Sequence, residues 1–157
     1  MSKSAQTQAQ TLAKTGKLTP SCTKDCKYGE LMTEVPGGSS VIVAINITLQ
    51  TWYEEGVTYD YKLEKPNPST DEFTAIVWKG SKKMGVGVAT RKTDGKIYIV
   101  FQFDPPGNIP GKFGENVQPS AGEPVFLKLW EAILIYTYFI KNNSSVNSLA
   151  NRGHKLH

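Results

Sequence analysis

The chain has 157 residues, of which 39% are apolar and 20% are charged. This size and composition are typical of a single ordinary globular domain. Its net charge of +4 favours anionic surfaces such as phospholipid, although an ordinary solvated surface explains such an excess more often. No run of arginine and aromatic residues marks a nucleic-acid interface, so nucleic acid is not an expected partner.

The cysteine content and the first residues bear on the compartment. Cys22 and Cys26 are the two cysteines of the chain. Small secreted domains carry more disulfides, so this low count favours a reducing compartment. A lone C-x-x-x-C could pair or bind metal, but two free thiols are the favoured prediction. Met1 to Ser4 lead into polar residues without a signal peptide, so an intracellular location is expected and an extracellular one is disfavoured.

The first third of the chain predicts a helix and then an irregular segment. Alanine and leucine recur at helical spacing over Ser4–Lys14, and Gly16 would stop the helix. Leu18–Gly38 is predicted to be irregular, because prolines and glycines interrupt it. Val41–Glu55 is rich in β-branched residues, which favour a strand, but its apolar spacing and length favour a helix capped by Ser39 or Ser40.

The segment Asp71–Asn108 predicts a short helix followed by a hairpin. Apolar residues at i, i+3 and i+4 begin at Phe73, and Thr70 or Asp71 could cap this helix. Alternating apolar residues then predict two strands joined by a turn at Lys92–Gly95. We expect loops before and after this segment, over residues 56–70 and 109–119.

This segment contains two motifs. The first consists of Asp71, Phe73, Thr74, Ala75, Ile76, Val77, Trp78 and Ser81, and the second consists of Phe103, Pro105, Gly107 and Asn108. Both resemble signatures of the CAP superfamily, which comprises cysteine-rich secretory, antigen 5 and pathogenesis-related 1 proteins. Glu72 stands where the family has histidine. Residues 78–87 and 115–119 resemble most the Golgi-associated, non-secreted branch, which implies a cytoplasmic or peripheral Golgi or membrane location.

The resemblance implies an α+β fold, a three-layer α-β-α sandwich. Residues 1–119 would form a CAP-like domain that lacks the family's first helix, and the chain would then be an N-terminally truncated member. Residues 120–157 would be a C-terminal extension with an apolar helix and a polar tail. Its run Val125–Ile140 could pack on the domain, lie in or cross a membrane, or be poorly ordered; as a helix it would be about 24 Å long, short of a bilayer core of roughly 30 Å.

The resemblance also implies a cleft where family members gather two histidines and two glutamates around a divalent metal. Position by position, the glutamates correspond to Glu30 and Glu55, and the histidines to Glu72 and to the neighbourhood of Pro20. The chain's own histidines, His154 and His157, lie in the tail. Since zinc prefers imidazole and carboxylates suit hard cations, we expect a degenerate site without zinc or another cofactor. Three converging glutamates could instead share a proton, bind a hard cation or splay apart, and three unrelated surface glutamates are an equally open alternative.

These features predict a non-enzymatic CAP-domain protein that binds lipid or an anionic membrane surface. Lys79, Lys82 and Lys83, with Arg91, Lys92 and Lys96 further along, could supply the electrostatic attraction. A protein partner or a homodimer stays open. The alternatives are a divergent or truncated member without activity and, less favoured, a metal-dependent hydrolase, which would need the histidines that this chain lacks.

Overall fold

The computed structural model describes residues 1–119. Its helices are α1 (Ser2–Thr15), α2 (Val41–Glu54), α3 (Asp71–Val77) and the one-turn α4 (Phe113–Asn116), with a 3₁₀ turn at Glu55–Thr58. Its strands are β1 (Gly29–Val35), β2 (Lys83–Thr90) and β3 (Ile97–Asp104).

The three strands form an antiparallel sheet in the order β1-β3-β2. Strand β3 is central, and its first seven residues are buried. In the ladder, Gln102 of β3 lies opposite Glu30 of β1 and Gly85 of β2. Directly opposed residues point to the same face, so these three positions share one side of the sheet.

Helix α1 covers that side of the sheet. Its alanines and Leu12 form a core cluster with Tyr98 and Val100 of β3. The helix backbone approaches closely because β2 has glycine beneath it: a Cβ on Gly87 would lie 2.2 Å from the backbone of Ala5. The Gln6 side chain donates to the Val88 carbonyl (2.7 Å) and accepts from the Val88 amide (3.0 Å).

Helices α2 and α3 form the layer on the opposite side of the sheet. Trp52 of α2 meets Phe101 of β3 edge to face, with ring centroids 5.4 Å apart. Ser40 accepts a hydrogen bond from the Val43 amide and so caps α2. Because α1 and α2 pack on opposite faces of one sheet, the predicted α+β three-layer sandwich is confirmed.

A second core cluster joins α3 to the segment after β3. Its buried members are Tyr59, Phe73, Trp78, Phe113 and Val117. Phe73 contacts the rings of Tyr53 and Tyr59, and Trp78 meets Phe113 edge to face at 5.2 Å. These aromatic contacts hold α3 in place although the helix is only seven residues long.

Most predicted elements are confirmed, but two segments were predicted wrongly. The interval Leu18–Gly38 contains strand β1, because the ladder to β3 provides long-range pairing that the local glycines and prolines do not reveal. The interval 109–119 contains α4, where Phe113 enters the aromatic cluster and the Gly114 amide donates to the Glu64 carboxylate.

The predicted cap of α3 is also wrong. Thr70 occupies the N-cap position, but its side chain makes no capping hydrogen bond, and Asp71 accepts from the Asn67 amide instead. Within residues 1–119, no helix has the length and apolar character needed to cross a membrane. The apolar run Val125–Ile140 and the predicted extension lie outside the described residues.

Candidate functional site

Glu30 is held by three hydrogen bonds on the face of the sheet that α1 covers. Its carboxylate accepts from the Ser21 amide (2.8 Å), the Ser21 hydroxyl (2.7 Å) and Nε2 of Gln102 (2.9 Å). Ser21 follows Pro20, so the loop after α1 is fastened to β1 at the position where the resemblance implies a histidine. Gln102 is buried, and its Oε1 has no hydrogen-bond partner among the described residues.

Glu55 lies where α2 meets α3 and serves as the long-range cap of α3. Its Oε2 accepts a hydrogen bond from the Phe73 amide at 3.0 Å. Partial burial raises the pKa of Glu55, the Phe73 amide lowers it, and the charges of Glu72 and Asp71 raise it further. The structure therefore brings Glu55 close enough to Glu72 for the two carboxylates to repel each other.

The four positions implied by the resemblance fall into two groups. Pro20 and Glu30 belong to the loop and strand on the α1 side, whereas Glu55 and Glu72 belong to the α2–α3 layer. Among residues 1–119, no group of three or more histidine, cysteine, aspartate or glutamate residues is arranged to hold a metal ion.

The two signature motifs meet in the structure and hold α3 to the end of β3. The Thr74 hydroxyl donates to Oδ1 of Asn108 at 2.8 Å, and Nδ2 of Asn108 donates to the Asp71 carbonyl at 2.8 Å. Trp78 packs against Gly107, where a Cβ would lie 2.9 Å from the indole. We call Thr74, Trp78, Gly107 and Asn108 the signature clasp.

The remaining signature residues are also part of the packing. Phe73 and Ala75 are buried beside the clasp, and Ser81 donates its hydroxyl to the Pro105 carbonyl at 2.9 Å. In the described residues, the signature therefore fixes the position of α3 through buried packing and hydrogen bonds.

The prediction of two free thiols is wrong, because Cys22 and Cys26 form a disulfide. Their Cα atoms are 5.6 Å apart, which lies within the range that a disulfide spans. The bridge closes a small ring between Ser21 and the start of β1. The cysteine count therefore does not support a reducing compartment here.

Three lysines are exposed where the chain passes from α3 to β2: Lys79 and Lys82 lie on the connecting loop, and Lys83 is the first residue of β2. The side chains of Lys79, Lys82 and Lys83 face solvent, and within residues 1–119 none of them forms an ion pair. Lys82 donates instead to the Lys79 carbonyl at 2.8 Å. By contrast, Arg91 pairs with Asp94 and Lys96 pairs with Glu34.

Two residues of this region were missed from the sequence, Ser21 and Gln102. Gln102 had a signal, since it is a polar residue in the middle of an otherwise apolar strand and such a buried group requires a partner. Ser21 had none, because a loop serine gives no sign of which carboxylate it will bind.

The model of the cysteine-rich secretory protein family (CAP) matches residues 1–103. The human Golgi-associated plant pathogenesis-related protein 1 is 43% identical over 70 residues, which cover 43% of this chain and 45% of that protein. Protein PRY2 of Saccharomyces cerevisiae is 30% identical over 99 residues, which cover 62% of this chain and 30% of that protein.

A solved structure agrees in fold. The crystal structure of NaASP2 with Zn²⁺ superposes with a TM-score of 0.56 at 21% identity, covering 69% of this chain and 60% of that one. The chain spans less than half the length of the two curated relatives. The family match over residues 1–103 and the fold together show that this chain belongs to the cysteine-rich secretory protein (CAP) family.

Proposed function

We propose that this chain is a non-enzymatic CAP protein that binds anionic membrane surfaces through Lys79, Lys82 and Lys83. The observation that carries the proposal is that these three lysines, two on the α3–β2 loop and one at the first residue of β2, are exposed and form no ion pair within residues 1–119. Unpaired ammonium groups keep their full attraction for lipid phosphates, whereas Arg91 and Lys96 are already partly neutralised by carboxylates.

The size of the effect can be estimated from the charges. Each basic residue near an anionic membrane contributes about 1 kcal/mol, so three contribute about 3 kcal/mol, or roughly a hundredfold in binding constant. The name of the human relative supports an intracellular location at the Golgi membrane for this chain. The lack of a histidine among residues 1–119 argues against the hydrolase alternative.

Flotation of the full chain with vesicles tests the proposal. Anionic phosphatidylserine vesicles should float the protein at low salt and not at high salt, because salt screens exposed charges. Replacement of Lys79, Lys82 and Lys83 by alanine should abolish flotation. The matched control replaces Lys3, Lys14 and Lys17, exposed lysines on and just after α1, and removes the same charge. If both triple variants lost flotation equally, net charge alone would explain binding. The proposal that Lys79, Lys82 and Lys83 form the binding site would then be refuted.

The proposal includes a degenerate metal site without zinc. In support, the Glu30 carboxylate already accepts hydrogen bonds from Ser21 and Gln102, and the Glu55 carboxylate accepts one from the Phe73 amide. The side chain of Pro20 has no atom that could bind a metal. This donor set does not fit zinc, which prefers imidazole and thiolate ligands. Calorimetric titration of the wild type should show no tight binding of one zinc equivalent at this site. Tight zinc binding that the double variant Glu30→Ala with Glu55→Ala abolishes would overturn the proposal of a degenerate site.

A further inference from the structure

The Cys22–Cys26 ring stands beside Glu30 and is open to solvent. Cys22 is exposed and Cys26 is half-buried. Asp25, inside the ring, has a positive φ of 53°, a conformation that few non-glycine residues adopt freely. The exposed Lys24 lies inside the ring and the exposed Lys27 directly follows it, so positive charge exceeds the single negative charge of Asp25 at this turn.

The disulfide ring lies within the loop from Ser21 to Glu30, and hydrogen bonds between these two residues close that loop. Ser21 and Glu30 are nine residues apart and are joined by two hydrogen bonds. The disulfide joins residues four apart within that interval, so the covalent path from Ser21 to Glu30 becomes shorter through the bridge. A shorter path lowers the entropy cost of closing the loop.

We propose that Cys22–Cys26 is a reversible exchange site for small anionic thiols of the glutathione class, and that its redox state controls how firmly Ser21 holds Glu30. This inference does not depend on membrane binding. It rests on the exposure of Cys22, on the neighbouring lysines and on the hydrogen bonds from Ser21, which precedes the ring, to Glu30.

The exchange proceeds in two balanced steps. A thiolate attacks Sγ of the exposed Cys22, the bond to Cys26 breaks, and the Cys26 sulfur leaves as a thiolate that takes up a proton. A second thiolate attacks the small-molecule sulfur of the mixed disulfide and releases the Cys22 thiolate, which is protonated in turn. Two thiols are oxidised to one small-molecule disulfide, and the protein bridge is reduced to two thiols.

The expected consequence is local. Reduction restores the full nine-residue path, and the Ser21–Glu30 closure becomes less favourable on the order of twofold by loop length alone. Release of the turn at Asp25 adds to this effect. The Glu30 carboxylate then exchanges its loop partner for water while Gln102 still donates to it from β3.

The first experiment measures whether the bridge exchanges in the native full chain. The protein is incubated with millimolar reduced glutathione, alkylated and analysed by mass spectrometry. Labelling of both Cys22 and Cys26 without urea is the expected result. A bridge that is reduced only after unfolding in urea would overturn the proposal.

The second experiment measures amide hydrogen exchange at Ser21 by NMR in the oxidised and the reduced chain. Exchange should become at least twofold faster on reduction, while the turn amide of Gly95, which donates to the Arg91 carbonyl, should not change. In Glu30→Ala, exchange at Ser21 should be fast in both states. Equal Ser21 exchange rates in oxidised and reduced wild type would refute the coupling.

Discussion

Thr74 and Asn108 are 34 residues apart, yet the Asn108 side chain accepts a hydrogen bond from the buried Thr74 hydroxyl. Asn108 adopts a positive φ of 56°, which asparagine tolerates better than most residues. Its side chain links the Thr74 hydroxyl to the Asp71 carbonyl. The signature residues at this point are therefore explained by hydrogen bonding and close packing within the described part of the chain.

Replacing Thr74 by valine should lower the free energy of unfolding by about 1–3 kcal/mol, because Oδ1 of Asn108 would lose its donor in a partly buried site. Thr74→Ser keeps the hydroxyl and is the control, with the smaller loss expected from one methyl group. Urea denaturation of the two variants checks this. Equal losses would mean that packing, and not the hydrogen bond, stabilises the clasp.

Glu55 predicts a pH dependence. Its folded pKa is raised above the ordinary value of 4.5, so the folded state binds more protons between the two pKa values. The contribution of Glu55 to stability is therefore retained below pH 4.5 and is lost as pH rises through the folded pKa. Glu55→Gln cannot ionise, so its stability relative to wild type should increase from pH 4 to pH 7 in thermal melts.

Glu55→Ala is the matched comparison, because it removes both the charge and the acceptor for the Phe73 amide. Loss of a helix cap costs about 0.5–2 kcal/mol, so this variant should be less stable than Glu55→Gln at every pH. Alanine and glutamine variants of equal stability would show that Glu55 does not cap α3.

The resemblance pointed to Glu55 and Glu30 but not to their partners. The Phe73 amide lies 18 residues beyond Glu55, and Gln102 lies 72 residues beyond Glu30. Such pairings depend on how the sheet and helices pack, which local spacing does not encode. The disulfide was not predicted for a different reason. The number of cysteines indicates the redox compartment, whereas bridge formation depends on a turn that brings the two Cα atoms close together.

At the scale of elements, local pattern was sufficient wherever an element carries its own periodic apolar face. Helices α1 and α2 and the β2–β3 hairpin belong to this class, and all were predicted close to their observed limits. Strand β1 does not carry such a face, because all seven of its residues are half-buried and buried positions do not alternate with exposed ones. Its pairing with β3 is entirely long-range, so it could not be predicted from nearby residues.

The attachment of α1 to β2 gives a prediction for that pair of elements. Gln6→Ala leaves the amide and carbonyl of Val88 without their partner and should cost about 1–2 kcal/mol of unfolding free energy. Gln10→Ala is the control, since Gln10 is exposed on the same helix and undergoes the same change of helix propensity. Urea denaturation should show little change for the control, and equal losses would refute the role of Gln6.

At the scale of residues 1–119, two groups of basic residues, Lys79 to Lys83 and Arg91 to Lys96, lie at opposite ends of the β2–β3 hairpin. Lys83 begins β2 opposite Asp104, whereas the turn after Thr90 carries Arg91, Lys92 and Lys96. An eight-residue strand separates them by roughly 23 Å, well beyond a Debye length of about 8 Å at physiological salt. The sequence showed both basic groups, but only the sheet shows that they lie too far apart to act as one patch.

This separation predicts an orientation on the membrane. With anionic vesicles bound, Lys79, Lys82 and Lys83 should be protected from acetylation, while Lys92 at the other end of the hairpin should react as in the free protein. Quantitative mass spectrometry of the acetylated full chain measures both. Protection at Lys92 without protection at Lys79, Lys82 and Lys83 would place the membrane at the opposite end and contradict the proposed orientation.

The paired hydrogen bonds between Gln6 and Val88 have one more consequence. A side-chain amide has the same donor and acceptor as a peptide group, so Gln6 occupies the position on β2 that the backbone of an incoming strand would take. A fourth strand cannot pair with Val88 unless the hydrogen bonds from Gln6 of α1 to Val88 are first broken. Fibril-like stacking or capture of a foreign extended peptide is therefore obstructed along this edge by a residue that belongs to a helix.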